Sequence, residues 1–307
     1  MIDDYVRSLA RELAAVGVRG SDARRLLAEV RGQLSDSAAA LDGADRDQAD
    51  RDQEGAVAAF GRPDRLAAAI AEDLATARTR SAAYRTFLAL VPAGIGYAVL
   101  FLTFPGGAGG TVSGPGALGI VGAIFFPQLA FVCGVLGLLR IVRLRREAVL
   151  GAGDLAVVRA RVSVALGAGV LTLTSLATVG LDQRAAVPAW WLLGALALAA
   201  TVAPVLGLIG AALARSRRLA VGHAPASGTA VDDVKAVLVE LPGLHGISVP
   251  VEPMRFALLV ASLVAFATAL GGLAAGDPLD GLFRAGVEAI GVLVCYRVLG
   301  RRLGLRA

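Results

Sequence analysis

Few residues in this chain are of a kind that does chemistry, and most of them stand alone. His223 and His245 are the only histidines, 22 residues apart in one hydrophilic stretch. A metal pair there competes with the plainer account of two surface histidines, and the plainer account fits better. Cys133 and Cys295 both fall in apolar stretches, where a thiol behaves as a small hydrophobe, and their spacing matches no zinc site. Gly114-Pro-Gly-Ala-Leu-Gly119 has the form G-x-G-x-x-G, but that string cradles a dinucleotide only between a strand and a helix. Here it leads into an apolar run. A P-loop and a His-Glu-x-x-His motif are both absent, so the chain cannot by itself drive transport with ATP. The expectation is no enzyme, no cofactor and no metal.

One pair of charges stands out. Arg284 and Glu288 are four residues apart in an otherwise apolar run and share a helical face. Counted from Gly281, Glu288 lies about 10 Å into that run. An ionisable group at membrane depth is costly and faces either the bundle interior or water. A ligand- or proton-sensing site is one reading of the pair. A structural pair, with Arg284 reaching toward the outer interface, is the other.

The elements that hold these residues follow from hydropathy. Of the 307 residues, 56% are hydrophobic and 18% charged, which is too apolar for a soluble domain of this size. Six runs are long enough to cross a bilayer as helices: about 86–104, 117–139, 162–180, 189–213, 256–274 and 281–299. The connections at 105–116, 181–188 and 275–280 are short and nearly free of positive charge. Those between the second and third runs and between the fourth and fifth hold ten of the seventeen arginines of residues 81–307, from Arg140 to Arg161 and from Arg215 to Arg255. The positive-inside rule then places both termini in the cytoplasm. Trp190 and Trp191 begin the fourth run at the outer interface, and Pro92, Pro127 and Pro204 kink three of the runs.

Charge divides the chain. Residues 1–80 hold 12 arginines against 15 acids, a net of −3, while residues 81–307 hold 18 basic residues against 10 acids, a net of +8. The basicity belongs to the apolar part and is no nucleic-acid footprint. The first 80 residues contain no apolar segment of the signal-peptide kind, so they are expected to stay in the cytoplasm as a small helical domain. Asp3 and Asp4 can cap a helix with Tyr5, Leu9, Leu13 and Val16 on one face, ended by Gly17. Ser21 caps a second helix carrying Leu27, Val30 and Leu34, and a short third covers about Glu54 to Phe60. Pro63 opens a fourth. The duplicated ADRDQ at 44–48 and 49–53 reads as a solvated loop. Arg24, Arg25, Glu29, Asp36, Asp64 and Arg65 lie on the polar faces and form the candidate partner-binding surface. In the loop at 214–254, the segment from Val231 to Val239 is an amphipathic helix, lying on the membrane or against a partner.

The pattern Tyr5-x-x-x-Leu9, Leu27-Ala28-Glu29-Val30-Arg31 with Leu34, and Ala56-Val57-Ala58-Ala59-Phe60-Gly61-Arg62-Pro63-Asp64-Arg65-Leu66-Ala67 resembles the HAAS-type signalling domain (formerly DUF1700), related to permease prefix domains. The resemblance covers residues 1–77, with Gln33 where the family often has His. It implies a membrane-bound signalling partner of PadR-like winged-helix transcription regulators. The fold expected is all-α: a cytoplasmic helical domain over 1–80 and a six-span bundle over 81–307 in the cell membrane, able to form oligomers. A permease, or the membrane subunit of an ATP-driven exporter, is the alternative. The short outer connections argue against the permease relatives, which usually carry large inserts there.

Overall fold

The computed structural model describes residues 1–41, 46–103, 114–184, 187–219, 226–240, 258, 261, 262, 265, 266, 269, 270, 273, 278–300 and 303. Every regular element among them is a helix: α1 (Ile2–Ala15), α2 (Ser21–Leu41), α3 (Arg46–Phe60), α4 (Pro63–Leu102), α5 (Gly114–Arg143), α6 (Ala152–Asp182), α7 (Ala189–Arg217), α8 (Ala230–Glu240) and α9 (Pro278–Leu299). His223, His245 and the glycine-rich connection at 105–113 lie outside the described residues. The Gly114–Gly119 string forms the first turns of α5, with no strand before it among the described residues.

The N-terminal helices follow their periodicity. In α1 the i, i+4 series Tyr5, Leu9 and Leu13 is buried. The helix begins at Ile2, so Asp3 and Asp4 sit in its first turn without capping it, where their charge still complements the helix dipole. It ends as the glycine foretells. Gly17 takes φ +89°, its N–H donates to the Ala14 carbonyl, and the Val18 N–H donates to the Leu13 carbonyl at 2.8 Å. Val18 and Leu13 are both buried, which completes the apolar contact of this cap.

One expectation fails here. Residues 46–53, taken for a loop, belong to α3, which is 15 residues long instead of a short helix from Glu54. The repeat contains no glycine or proline, and it sets Arg46 four residues before Asp50 and Asp47 four before Arg51. Opposite charges at that spacing favour helix.

α4 is a single helix of 40 residues, so the fourth N-terminal helix and the first apolar run are one element. Its buried stripe is made of small residues (Ala67, Ala71, Ala75, Thr79, Ala82, Ala83 and Thr86), which lets α1 and α6 approach closely. One apolar core therefore runs from Tyr5, Leu9 and Leu34 through the alanines to Leu155, Val158, Leu206 and Leu213. Polar clasps reinforce it: Arg80 donates to the carbonyls of Leu144 (3.1 Å) and Glu147 (2.5 Å), the Leu150 N–H donates to Thr76 (3.0 Å), and Arg159 donates to Thr79 (3.2 Å).

α4, α5, α6 and α7 are each long and apolar enough to cross a membrane. They cover the first four runs. The fifth run lies mostly outside the described residues, and the sixth is α9, which carries Asp280, Arg284, Glu288 and Arg297 within 22 residues and does not join the four. Gly119 and Gly122 of α5 press against Ser175 and Val179 of α6. At the far end Trp191 is buried and its indole N–H donates to the Leu100 carbonyl at 2.8 Å, while Trp190 is exposed. That carbonyl belongs to the last turn of α4.

Gly17 does more than end α1. A Cβ on it would meet the Arg218 carbonyl oxygen at 2.4 Å, so the α1–α2 turn sits directly on the end of α7. We expect Gly17→Ala to cost on the order of 1–2 kcal/mol from the left-handed backbone alone, plus the displacement from Arg218. Gly32, in the open middle of α2, is the control, and Gly32→Ala should gain roughly 0.5–1 kcal/mol. Thermal unfolding in detergent measures both, and equal stability of the two variants would show that the turn does not bear on α7.

Candidate functional site

Burying an arginine commits a fold, because the guanidinium keeps its charge and its five N–H donors need acceptors. Arg140 near the end of α5 and Arg161 in the third turn of α6 are both fully buried. The residues that answer them are Asp154 in the first turn of α6 and Asp233 in α8. Asp233 accepts from Arg161 at 2.7 Å, Arg143 at 2.9 Å and Arg140 at 3.3 Å. Asp154 accepts from Arg140 and from the backbone N–H (2.9 Å) and hydroxyl (3.0 Å) of Ser227. Backbone carbonyls take further donors: Gly228 from Arg140 (3.1 Å), Ser227 from Arg143 (2.6 Å), and Leu136 and Leu303 from Arg161 (both 2.7 Å), while Arg140 Nε and Arg161 Nη2 are buried with no hydrogen-bond partner among the described residues. Three arginines and two aspartates thus join α5, α6, α8 and Leu303.

The local backbone serves the cluster. Gly228 takes φ +87°, and a Cβ there would meet Asp232 at 2.7 Å and the Arg143 guanidinium at 3.1 Å. Only glycine meets both conditions. Thr229 and Asp232 then start α8, the carboxylate accepting from the Thr229 N–H (2.6 Å) and hydroxyl (3.0 Å). The Thr229 N–H, with help from the Arg143 charge, holds Asp232 below the usual carboxylate range against the opposing effect of burial. α8 is docked against α5 through its charged face.

The pair singled out by spacing lies elsewhere. Glu288 is buried and accepts from the amide of Gln128 in α5. One turn along, the ring of Phe125 fills the space beside Gly291, so residues three apart on each helix make the α5–α9 contact. Arg284 is half-buried. The Tyr97 hydroxyl donates to the Ala123 carbonyl. Ala123 is four residues before Pro127, so its carbonyl has no helical N–H to accept, and the tyrosine from α4 supplies one. Beside this seam, a cavity of about 530 Å³ opens between α4, α5, α6 and α7, lined by Tyr97, Pro127, Gln128 and Thr172 among apolar side chains.

The six charged residues of the N-terminal helices are not gathered into one point. Arg24, Arg25, Glu29, Asp36 and Arg65 are exposed, and Asp64 is half-buried and paired with Arg62 at 2.8 Å. Arg24 to Asp36 alone spans twelve residues of α2, about 18 Å of helix. Among the described residues no group of histidine, cysteine and carboxylate side chains could hold a metal.

Two expected outcomes follow from these contacts. Asp233→Asn removes the charge that answers three arginines and should destabilise the protein by about 3–5 kcal/mol, first releasing α8. Hydrogen exchange reads this as lost protection across Ala230–Val237, and protection equal to the parent protein would refute the role of Asp233. Glu288→Leu and Gln128→Leu should each cost about 1–3 kcal/mol by stranding the partner, and the double variant less than their sum. Strict additivity in unfolding experiments would show that the two side chains do not interact.

No family model matches the chain, and no curated protein or solved structure matches it.

Proposed function

We propose that the chain is a multi-pass signalling protein of the cell membrane, with six spans and both termini in the cytoplasm. Its N-terminal helices hand the state of the bundle to a partner, a PadR-like winged-helix transcription regulator. The continuity of α4 carries this reading: one helix from Pro63 to Leu102 belongs to both the N-terminal unit and the first span. At 1.5 Å per residue it is about 60 Å long, and a tilt at one end reaches the other with no flexible joint between. The charge pattern supports the orientation. Arg80, Arg143, Arg159 and Arg217 gather at the end where α1 and α2 sit, the end that the positive-inside rule assigns to the cytoplasm. The surface offered to the partner is the exposed face with Arg24, Arg25, Glu29 and Asp36.

The permease reading draws on one observation, the apolar cavity between α4 and α7. In the signalling reading the same cavity is where an apolar ligand would bias the bundle, with Gln128 in its wall and Glu288 hydrogen-bonded to Gln128.

Both readings are separated by one experiment on the full-length protein in its native membrane. Three glycines inserted between Arg80 and Ser81 weaken the helix by about 1 kcal/mol each and break its phase. The expected outcome is normal protein level, continued recovery of a winged-helix regulator with the purified protein, and loss of the response at that regulator's promoter. An unchanged response would refute coupling through α4. Recovery of a transport ATPase in place of the regulator would favour the exporter.

A further inference from the structure

Between the α1–α2 turn, α4 and the end of α7 lies an open cleft of about 810 Å³. Its lining carries Arg19 from the turn, Arg78 and Arg85 from α4, and Arg215 and Arg218 from the end of α7. Asp22 is the one carboxylate in the lining, and it is paired with Arg78. No carboxylate among the described residues pairs with the other four arginines, although they come from three separate segments. Four like charges converging on one cleft repel each other unless an anion occupies it.

The lining also says what kind of anion. Ala82 of α4 and Ile209 and Ala212 of α7 are in it too. Ile209 lies six residues before Arg215, about 9 Å deeper along the apolar helix. A cationic rim over an apolar floor, between two helices able to cross a membrane, suits a phosphodiester with acyl chains attached. We propose that this cleft holds the headgroup phosphate of an anionic phospholipid, clasped between Arg19 of the N-terminal unit and Arg85, Arg215 and Arg218. The site exists only while the turn at Gly17 rests on the Arg218 carbonyl, so the lipid fastens the N-terminal unit to α7. This deepens the signalling reading by making anionic lipid a condition of coupling, and it rests on that reading for the side of the membrane concerned.

The test uses the full chain in neutral detergent, where binding needs neither orientation nor partner. A failure here is thus distinct from a failure of the signalling reading. Native mass spectrometry would follow retention of phosphatidylglycerol against phosphatidylcholine. Retention of phosphatidylglycerol alone is expected, with about thirtyfold weaker binding in Arg85→Gln/Arg215→Gln, the effect of two interfacial arginines. Arg85→Lys/Arg215→Lys keeps the charge and should keep the lipid, which separates lost binding from lost folding. Arg11→Gln/Arg146→Gln removes two exposed charges outside the cleft and should leave binding intact. Equal loss in both glutamine pairs, or equal retention of phosphatidylcholine, overturns the site. Displacement of the lipid by inorganic pyrophosphate at comparable affinity overturns the lipid and reassigns the cleft to a soluble phosphate.

Discussion

An arginine cannot shed its charge to suit its surroundings, and Arg140 and Arg161 have none of their surface left in contact with solvent. Much of the architecture at this end of the bundle answers that constraint. Their positions on α5 and α6 are set by the packing of those helices through Gly122 and Ser175. With the cations fixed, carboxylates have to be brought to them, and of the two between them in the chain Glu147 is exposed and Asp154 supplies the first. The second comes from Asp233, more than seventy residues beyond Arg161, which is why α8 docks where it does. Leu303 is held by the same demand for acceptors. The net charge of the five residues remains positive, and the carbonyls of Leu136, Ser227, Gly228 and Leu303 absorb the excess as dipoles.

The attachment of the N-terminal helices follows a different rule. Alanine and threonine along one side of α4 leave no large side chain to interlock, so cohesion there comes from close approach and from hydrogen bonds to the threonines. Close approach tolerates little added volume. The turn at Gly17 makes the same point from the other side, because its backbone lies against the backbone of α7 with no room for a methyl group.

What could be read in advance was local. Hydropathy placed both ends of α5 and α7 within about four residues and the far ends of α4 and α6 within about two, but not the starts of α4 and α6, which lie 23 and 10 residues earlier. Gly17 and Pro63 marked helix ends where they fall, and the i, i+4 spacing of Tyr5, Leu9 and Leu13 named a buried face. The ADRDQ repeat misled because its polarity suggests solvent while its charge spacing suits a helix, and polarity was given more weight than spacing. The ion cluster was invisible for another reason. Arg140 and Arg161 read as ordinary positive-inside residues, and nothing in the neighbourhood of Asp233 announces partners ninety residues away. Glu288 was found by its depth in an apolar run, but Gln128, 160 residues earlier, was noticed only as the neighbour of a proline. Periodicity reports which face is buried. It does not report what the face meets.

Several of the polar contacts share one helix. α5 offers the Ala123 carbonyl to Tyr97 of α4, Gln128 to Glu288 of α9, the Leu136 carbonyl to Arg161 of α6, and Arg140 and Arg143 to Asp233 of α8. These sites are spaced along about 30 Å of helix, from mid-bundle to its basic end. Pro127 sits among them and removes one backbone bond at the level where α5 holds α4 and α9. A helix weakened at one station and pinned by buried charge at another does not move at the first without loading the second. Any ligand or proton that altered the Gln128–Glu288 contact would therefore act through α5 on the charges that hold α8, and the contact between α4 and α5 would carry the same displacement toward the N-terminal helices. The polar residues along α5 thus form a line instead of isolated exceptions.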